Sequence, residues 1–184
     1  NAAAIGYSQQ KKIDFDLGLI RNHYVGRTFI EPTQTIRQLG IKLKHNANKS
    51  IIKNKKIVLI DDSIVRGTTA IKIVEMMRNA GASEVHMRIS SPPIKYPDYY
   101  GIDTPSISEL IASQNSTEEI RKILKLDSLH FLSLEGLYQS MGHKNRNNKN
   151  PQYTDHCFTG DYPTKLADRD DGALKNQLSL LNDK

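Results

Sequence analysis

Val58-Leu59-Ile60-Asp61-Asp62-Ser63-Ile64-Val65-Arg66-Gly67-Thr68-Thr69-Ala70 is the stretch that decides how this chain reads. The aliphatic, β-branched run over residues 57–60 has the composition of a buried parallel strand. After Gly67 the rhythm turns helical, with Ala70, Ile73, Val74 and Met77 on one side. The motif therefore lies at a strand-to-helix turn, where open α/β sheets bind ligands and where a helix N-terminus offers free backbone N–H groups to an anion. Ser63, Thr68 and Thr69 add hydroxyl donors, Arg66 adds a cation, and Gly67 permits a backbone turn tight enough to close around a phosphate. Asp61 and Asp62 carry the wrong charge for phosphate. Their acceptor-only oxygens suit vicinal ribose hydroxyls, or a hard cation such as Mg²⁺ held partly by the substrate. A lone Asp-Asp pair at a strand end is ordinarily a solvated acidic cap; the whole run of residues points instead to a sugar-phosphate site.

The rest of the composition narrows the class. With 184 residues, 38% of them apolar, the chain can bury one sizeable α/β core followed by a tail. No stretch approaches the roughly 18 consecutive apolar residues of a membrane span, and no amino-terminal segment reads as a secretory signal, so a cytoplasmic protein is expected. The single Cys157 excludes an internal disulfide framework and agrees with a reducing compartment. The formal net charge of +6 is spread along the chain, and its densest run, His143 to Asn150, lies in an apparent polar linker, so nucleic acid is not the expected partner. Arg21, Arg27, Arg37, Lys42 and Lys44 instead cluster in the sequence where they could meet a polyanionic substrate. The chain opens Asn1-Ala2-Ala3-Ala4 without a methionine and reads as the interior of a longer gene product.

Periodicity predicts a helix over residues 2–10, a strand over 15–20, a mobile loop over 24–33 and a helix over 35–44 that ends across 46–49. A central strand over 57–61, a helix over 68–80 stopped by Gly81 and a strand over 84–90 form a β-α-β unit with a parallel pair. Pro92, Pro93 and Pro97 then break regular structure, followed by short helices over 107–112, 117–124 and 133–140 and a short strand over 129–132. Ser116-Thr117-Glu118-Glu119 supplies an amino-terminal cap for the second of these helices. The histidines show no metal-ligand spacing.

The motif resembles the 5-phosphoribosyl-1-pyrophosphate (PRPP) binding motif of the type I phosphoribosyltransferases. Arg21-Asn22-His23-Tyr24-Val25-Gly26-Arg27-Thr28-Phe29-Ile30 and Gln34-Thr35-Ile36-Arg37-Gln38-Leu39-Gly40 are similar to the flexible loop of the amidophosphoribosyltransferase family. Ser90-Ser91-Pro92-Pro93, Tyr100-Gly101-Ile102-Asp103, Glu109-Leu110-Ile111-Ala112 and Phe158-Thr159-Gly160 resemble that family too. The resemblance implies an α/β fold: an open, mostly parallel sheet flanked by helices, with a phosphoribosyltransferase domain over residues 1–142 and a polar, helical extension over 143–184. It implies that Asp61, Asp62, Ser63, Ile64, Val65, Arg66, Gly67, Thr68 and Thr69 bind the substrate and that Asp61 and Asp62 associate with Mg²⁺.

The same resemblance implies that Tyr24 and Arg27 act from a lid that shields the reacting carbon from water. The reaction it implies transfers ammonia, released from glutamine by an amino-terminal glutaminase domain that this chain does not contain, to PRPP. Purine nucleotide inhibitors and a homo-oligomer are implied as well. Some family members hold a [4Fe–4S] cluster on four cysteines. The corresponding positions here are Asp98, Thr154 and Cys157, so no such cluster is expected. The rival readings are a salvage or orotate phosphoribosyltransferase, and a PRPP-sensing regulator attached to a DNA-binding domain.

Overall fold

The computed structural model describes residues 1–22, 45–102, 104 and 106–166. The expected loop over 24–33 and helix over 35–44, with Tyr24 and Arg27, lie outside the described residues. In chain order the elements are α1 (Ala2–Lys11), β1 (Leu19–Arg21), β2 (His45–Ala47), α2 (Lys49–Ile52), β3 (Lys56–Asp61), α3 (Thr68–Asn79), β4 (Glu84–Ile89), a 3-10 turn (Ile107–Glu109), α4 (Ile111–Gln114), α5 (Thr117–Ile123), β5 (Ser128–Phe131), α6 (Leu134–Ser140) and α7 (His156–Thr159). Strands β3, β4 and β5 form a parallel sheet in that order, and β1 pairs antiparallel with β2.

Strand β4 shows why this sheet forms. Val85, Met87 and Ile89 are buried on one face, while Glu84, His86 and Arg88 alternate onto the other. Helix α3 lays Ala70, Ile73, Val74 and Met77 onto the buried face, the i, i+3, i+4, i+7 stripe that the sequence predicts. Leu129 from β5 and Ile120 and Leu124 from the α5 region complete the core. Helix α5 begins with the expected cap in its full reciprocal form: Ser116 Oγ accepts from the Glu119 N–H, and the Glu119 carboxylate accepts from the Ser116 N–H.

Several expected elements take a different form. The strand expected over 15–20 shrinks to Leu19–Arg21. Just before it, the Asp16 carboxylate accepts from the Leu17 N–H, a local bond that competes with ladder pairing. The segment 46–49, read as a helix end, instead contributes to β2 and then opens α2, with the Asn48 N–H donating to the Gly18 carbonyl. The helix expected over 107–112 is broken at Leu110, whose backbone is extended and whose side chain is buried, because the Ile111 N–H donates to the Val65 carbonyl. Strand β3, expected at the centre, lies at the edge of the described sheet and is half-buried along Ile57–Asp61; β4 occupies the middle.

The polar stretch beyond Gly142 packs back onto the domain through one buried carboxylate. Asp155 accepts from the Tyr138 hydroxyl (2.8 Å), from Arg146 Nε (2.6 Å) and Nη2 (3.0 Å), and from the Thr159 hydroxyl (3.1 Å). Gly160 then closes α7 at φ 76°, with its Cα so near the Tyr96 ring that a Cβ would sit 2.9 Å from it. Burial pushes the Asp155 carboxyl up, but the Arg146, Tyr138 and Thr159 donors outweigh it and hold the group below the usual carboxylate range. A depressed folded-state value means that this stabilisation is present above the unfolded value and lost as pH falls through the folded one. Asp155→Ala should cost about 3 kcal/mol at neutral pH, because it leaves the buried Tyr138 hydroxyl without its acceptor and the largely buried Arg146 with the exposed Asp161 as its remaining carboxylate. Urea unfolding checks this: the gap between variant and parent should narrow in acid below the ordinary carboxylate range, and equal midpoints at neutral pH would contradict the assignment.

Candidate functional site

The loop between β3 and α3 is held at both ends and in its middle. At its start the Asp61 carbonyl accepts from both the Ser90 N–H (3.0 Å) and the Ser90 hydroxyl (3.1 Å), which ties the end of β3 to the end of β4. In the middle Ile64 is buried at 3% exposure, so this residue can meet a ligand only through its backbone. At its end Gly67 adopts φ 80°, and a Cβ there would lie 2.9 Å from Ile111 Cδ1. Only glycine fits this combination of conformation and contact.

These anchors arrange the expected site residues around the N-terminus of α3. Gly67 caps that helix without a side-chain hydrogen bond, so the N–H groups of its first turn, beside Thr68 and Thr69, are left for an anion. Asp62 is exposed, and its carboxylate accepts a 3.2 Å hydrogen bond from Ser63. Asp61 is half-buried, and its Oδ1 accepts from the Asp62 N–H at 3.0 Å. Burial pushes the Asp61 carboxyl up; the Asp62 N–H opposes this and the Asp62 charge adds to it. A carboxylate made costly to ionise by burial is relieved by hydroxyl donors or a cation. The adjacent hard oxygens of Asp61 and Asp62 fit Mg²⁺ in that sense. Val65 contributes its carbonyl to the Ile111 N–H (2.9 Å), and Arg66 Nε donates to Glu109 Oε1 (3.0 Å). The sequence identifies Arg66 as a cation for the phosphate and Glu109 as part of a family-like stretch, but it does not pair them, since no local signal links positions so far apart.

A second group of polar residues gathers away from this loop. Asp98, His156 and Cys157 bring one potential ligand atom each within 4.8 Å of the others. The two most buried members meet each other: His156 Nε2 lies 2.6 Å from Asp98 Oδ1, while Asp98 Oδ2 accepts from the Tyr100 and Ile102 N–H groups, and His156 Nδ1 is buried without a hydrogen-bond partner among the described residues. Burial pushes the Asp98 carboxyl up, but these donors prevail and hold it below the usual range. Burial and the Asp98 charge both push the Cys157 thiol up, away from the thiolate that binds metal. One thiol of this kind does not fit a [4Fe–4S] cluster, which needs four. The spacing rule overlooked His156 because its neighbour in space, Asp98, is remote in the chain.

A cavity of about 530 Å³ runs along β3 between α1 and residues 13–19. It is lined by Ile57–Ile60 and Met77 rather than by the loop.

Comparison with known proteins agrees with this geometry. Residues 19–90 match the phosphoribosyl transferase domain family. The amidophosphoribosyltransferase of Rhizobium etli is 57% identical over 180 residues, covering 97% of this chain and 36% of that protein. That of Bacillus subtilis is 52% identical over 165 residues, covering 90% and 34%. The solved structure of the Bacillus subtilis glutamine PRPP amidotransferase, complexed with ADP and GMP, superposes with a TM-score of 0.76 at 52% identity over 90% of this chain and 36% of that one. The chain thus spans about a third of the length of the curated relatives it matches.

Two outcomes follow from the site. Because the folded-state value of Asp61 is raised, its contribution to stability is fully present below the unfolded value and is lost as pH rises through the folded one. Asp61→Asn should therefore raise the melting temperature of the ligand-free protein at neutral pH and lose that advantage in acid; an unchanged or lower value at neutral pH would contradict the burial argument. Purified anaerobically, the protein should contain no stoichiometric iron or labile sulfide, whereas about four irons per chain would overturn the reading of Cys157.

Proposed function

We propose that this chain, which belongs to the amidophosphoribosyltransferase family of phosphoribosyltransferases, transfers ammonia derived from glutamine to carbon 1 of PRPP in the first committed step of purine synthesis. The observation that carries this reading is the half-buried and exposed carboxylate pair directly beside a helix N-terminus without a side-chain cap bond, anchored by Ser90, Ile64 and Ile111. That pairing presents acceptors for a ribose diol and donors for a phosphate within one short loop, which matches the two ends of a phosphorylated ribose.

The ammonia nitrogen gives its lone pair to carbon 1, the bond from carbon 1 to the pyrophosphate oxygen breaks, and that electron pair leaves with pyrophosphate. A proton is then lost from the new ammonium, giving 5-phosphoribosylamine. The backbone N–H groups at Thr68 and Thr69, their hydroxyls and Arg66 anchor the 5-phosphate. Asp61 and Asp62 accept from the ribose hydroxyls and place negative charge near the ring as it becomes cationic. Asp61 and Asp62 would also hold Mg²⁺, which when bound compensates charge on the pyrophosphate. Tyr24 and Arg27 belong to the segment we assign as the lid. Residues 1–142 carry the phosphoribosyltransferase elements, and 143–184 form their extension.

The glutaminase activity is assigned to sequence beyond this chain. Purine nucleotides would compete through their own 5-phosphates; the Bacillus subtilis structure that resembles this chain was solved with ADP and GMP. A cytoplasmic homo-oligomer completes the reading.

The decisive experiment is PRPP-dependent pyrophosphate release by the native protein and by an Asp61→Asn/Asp62→Asn variant. Turnover should fall at least about a hundredfold in a variant that remains folded, the scale set by removing a preorganised electrostatic group from an active site. Undiminished turnover in the folded variant would remove the carboxylate pair from the mechanism.

A further inference from the structure

Arg66 makes one hydrogen bond among the described residues, from Nε to Glu109 Oε1 at 3.0 Å. An arginine gripped at Nε keeps both Nη groups available as a fork, the geometry that suits phosphate oxygens. Glu109 is itself held: its other oxygen accepts from Ser106 Oγ at 3.3 Å. The 3-10 turn that carries it is pinned as well. Leu110 is 1% exposed, and Ser113 Oγ donates to the carbonyls of both Ile107 (2.6 Å) and Leu110 (2.7 Å).

The contacts between this segment and the loop run through consecutive residues. Val65 accepts from the Ile111 N–H, Arg66 meets Glu109, and Gly67 lies against Ile111 Cδ1. Glu109 is thus the polar tooth of a brace whose other contacts are backbone and apolar. The Arg66 and Glu109 side chains are 36% and 51% exposed. An ion pair that open to water adds little to stability, so global stability is a poor account of its place here.

We propose that Glu109 is a positioning residue for phosphate recognition, holding Arg66 through Nε so that its two Nη groups are ordered before the phosphorylated substrate arrives. This rests on the reading of residues 61–69 as the PRPP site and deepens it: the 5-phosphate contact depends on a carboxylate that does not touch the ligand. Without Glu109, the ligand must order the arginine itself.

The test measures PRPP-dependent pyrophosphate release and thermal unfolding for the native protein and for Glu109→Ala, Glu109→Gln, Arg66→Ala and the Arg66→Ala/Glu109→Ala double variant. Glu109→Ala should raise KM for PRPP about three- to tenfold, the factor expected when one long side chain is ordered by the ligand rather than beforehand, with kcat and melting temperature close to the parent. Glu109→Gln, which keeps an acceptor for Nε, should recover most of the affinity. In the Arg66→Ala background, removing Glu109 should have no further effect on KM.

An unchanged KM in Glu109→Ala would overturn the proposal. So would a lower KM, which would mean that Glu109 competes with the phosphate for Arg66, or an equal Glu109→Ala effect with and without Arg66. Should Glu109→Ala fail to fold, Glu109→Met, which keeps the side-chain length but removes the acceptor for Nε, carries the same comparison through KM and the binding of ribose 5-phosphate, with an unchanged affinity counting against the proposal. A native protein with neither PRPP turnover nor ribose 5-phosphate binding would instead signal failure of the underlying function.

Discussion

The Asp61 carbonyl is the point from which the site is built. A strand that ends inside an α/β domain leaves a carbonyl that needs donors, and here Ser90 supplies two, its N–H and its hydroxyl. The bond fixes the direction in which the chain leaves β3 and joins it to the end of β4, the adjacent parallel strand. From there Ile64 must reach the core and Gly67 must turn into α3, so little freedom is left to the residues between. The carboxylates of Asp61 and Asp62 are consequently presented on a loop whose path is set by backbone bonds and burial, with no help from the ligand.

The same loop gathers features that a more stable protein would avoid. A glycine cap leaves the first turn of α3 without side-chain acceptors, where serine or aspartate would ordinarily satisfy an N–H. Burial makes Asp61 hard to ionise, and the neighbouring Asp62 charge increases that cost. Gly67 sits where any other residue would be strained and would also strike Ile111. Each feature is unfavourable for the fold by itself and complementary to an anion flanked by hydroxyls. Their concentration in one turn is therefore a stronger functional signal than any one of them.

How much of this was legible from residues alone depended on the range of the forces involved. Strand β4 and helix α3 follow local patterns, alternation in one and a four-residue apolar stripe in the other, and they appear where those patterns put them. The capping box at Ser116 is equally local. Leu110 illustrates the opposite case: its surroundings have helical composition, yet the helix breaks because the following N–H is claimed by Val65. The extended stretch before β1 failed for a nearer reason, a side-chain acceptor at Asp16. For Arg66 the charge was visible and its partner was not, since the pairing with Glu109 is made only once the chain has folded. The polar composition beyond Gly142 likewise concealed Asp155, whose four donor contacts come from Tyr138, Arg146 and Thr159.

Two buried carboxylates, Asp155 and Asp98, hold the second half of the described chain, and both are compensated almost completely within the protein. Asp155 relies chiefly on Arg146, whose guanidinium is held charged by it, and Asp98 on backbone N–H groups and His156. Tyr162 stacks on the His156 ring and Tyr100 meets it edge-on, with centroids 5.1 Å away in each case, which closes that corner with aromatic surface. The stretch from Asp98 to Ile102 that these bonds shape leads on to Ser106, Glu109 and Ile111, the residues that meet the phosphate loop. Strong, water-excluded interactions thus secure the frame, while the polar contact that reaches Arg66 among the described residues is exposed and weak. That division suits a binding site: the frame keeps the brace in place, and the Arg66–Glu109 pair can exchange part of its solvation for a phosphate without disturbing the fold.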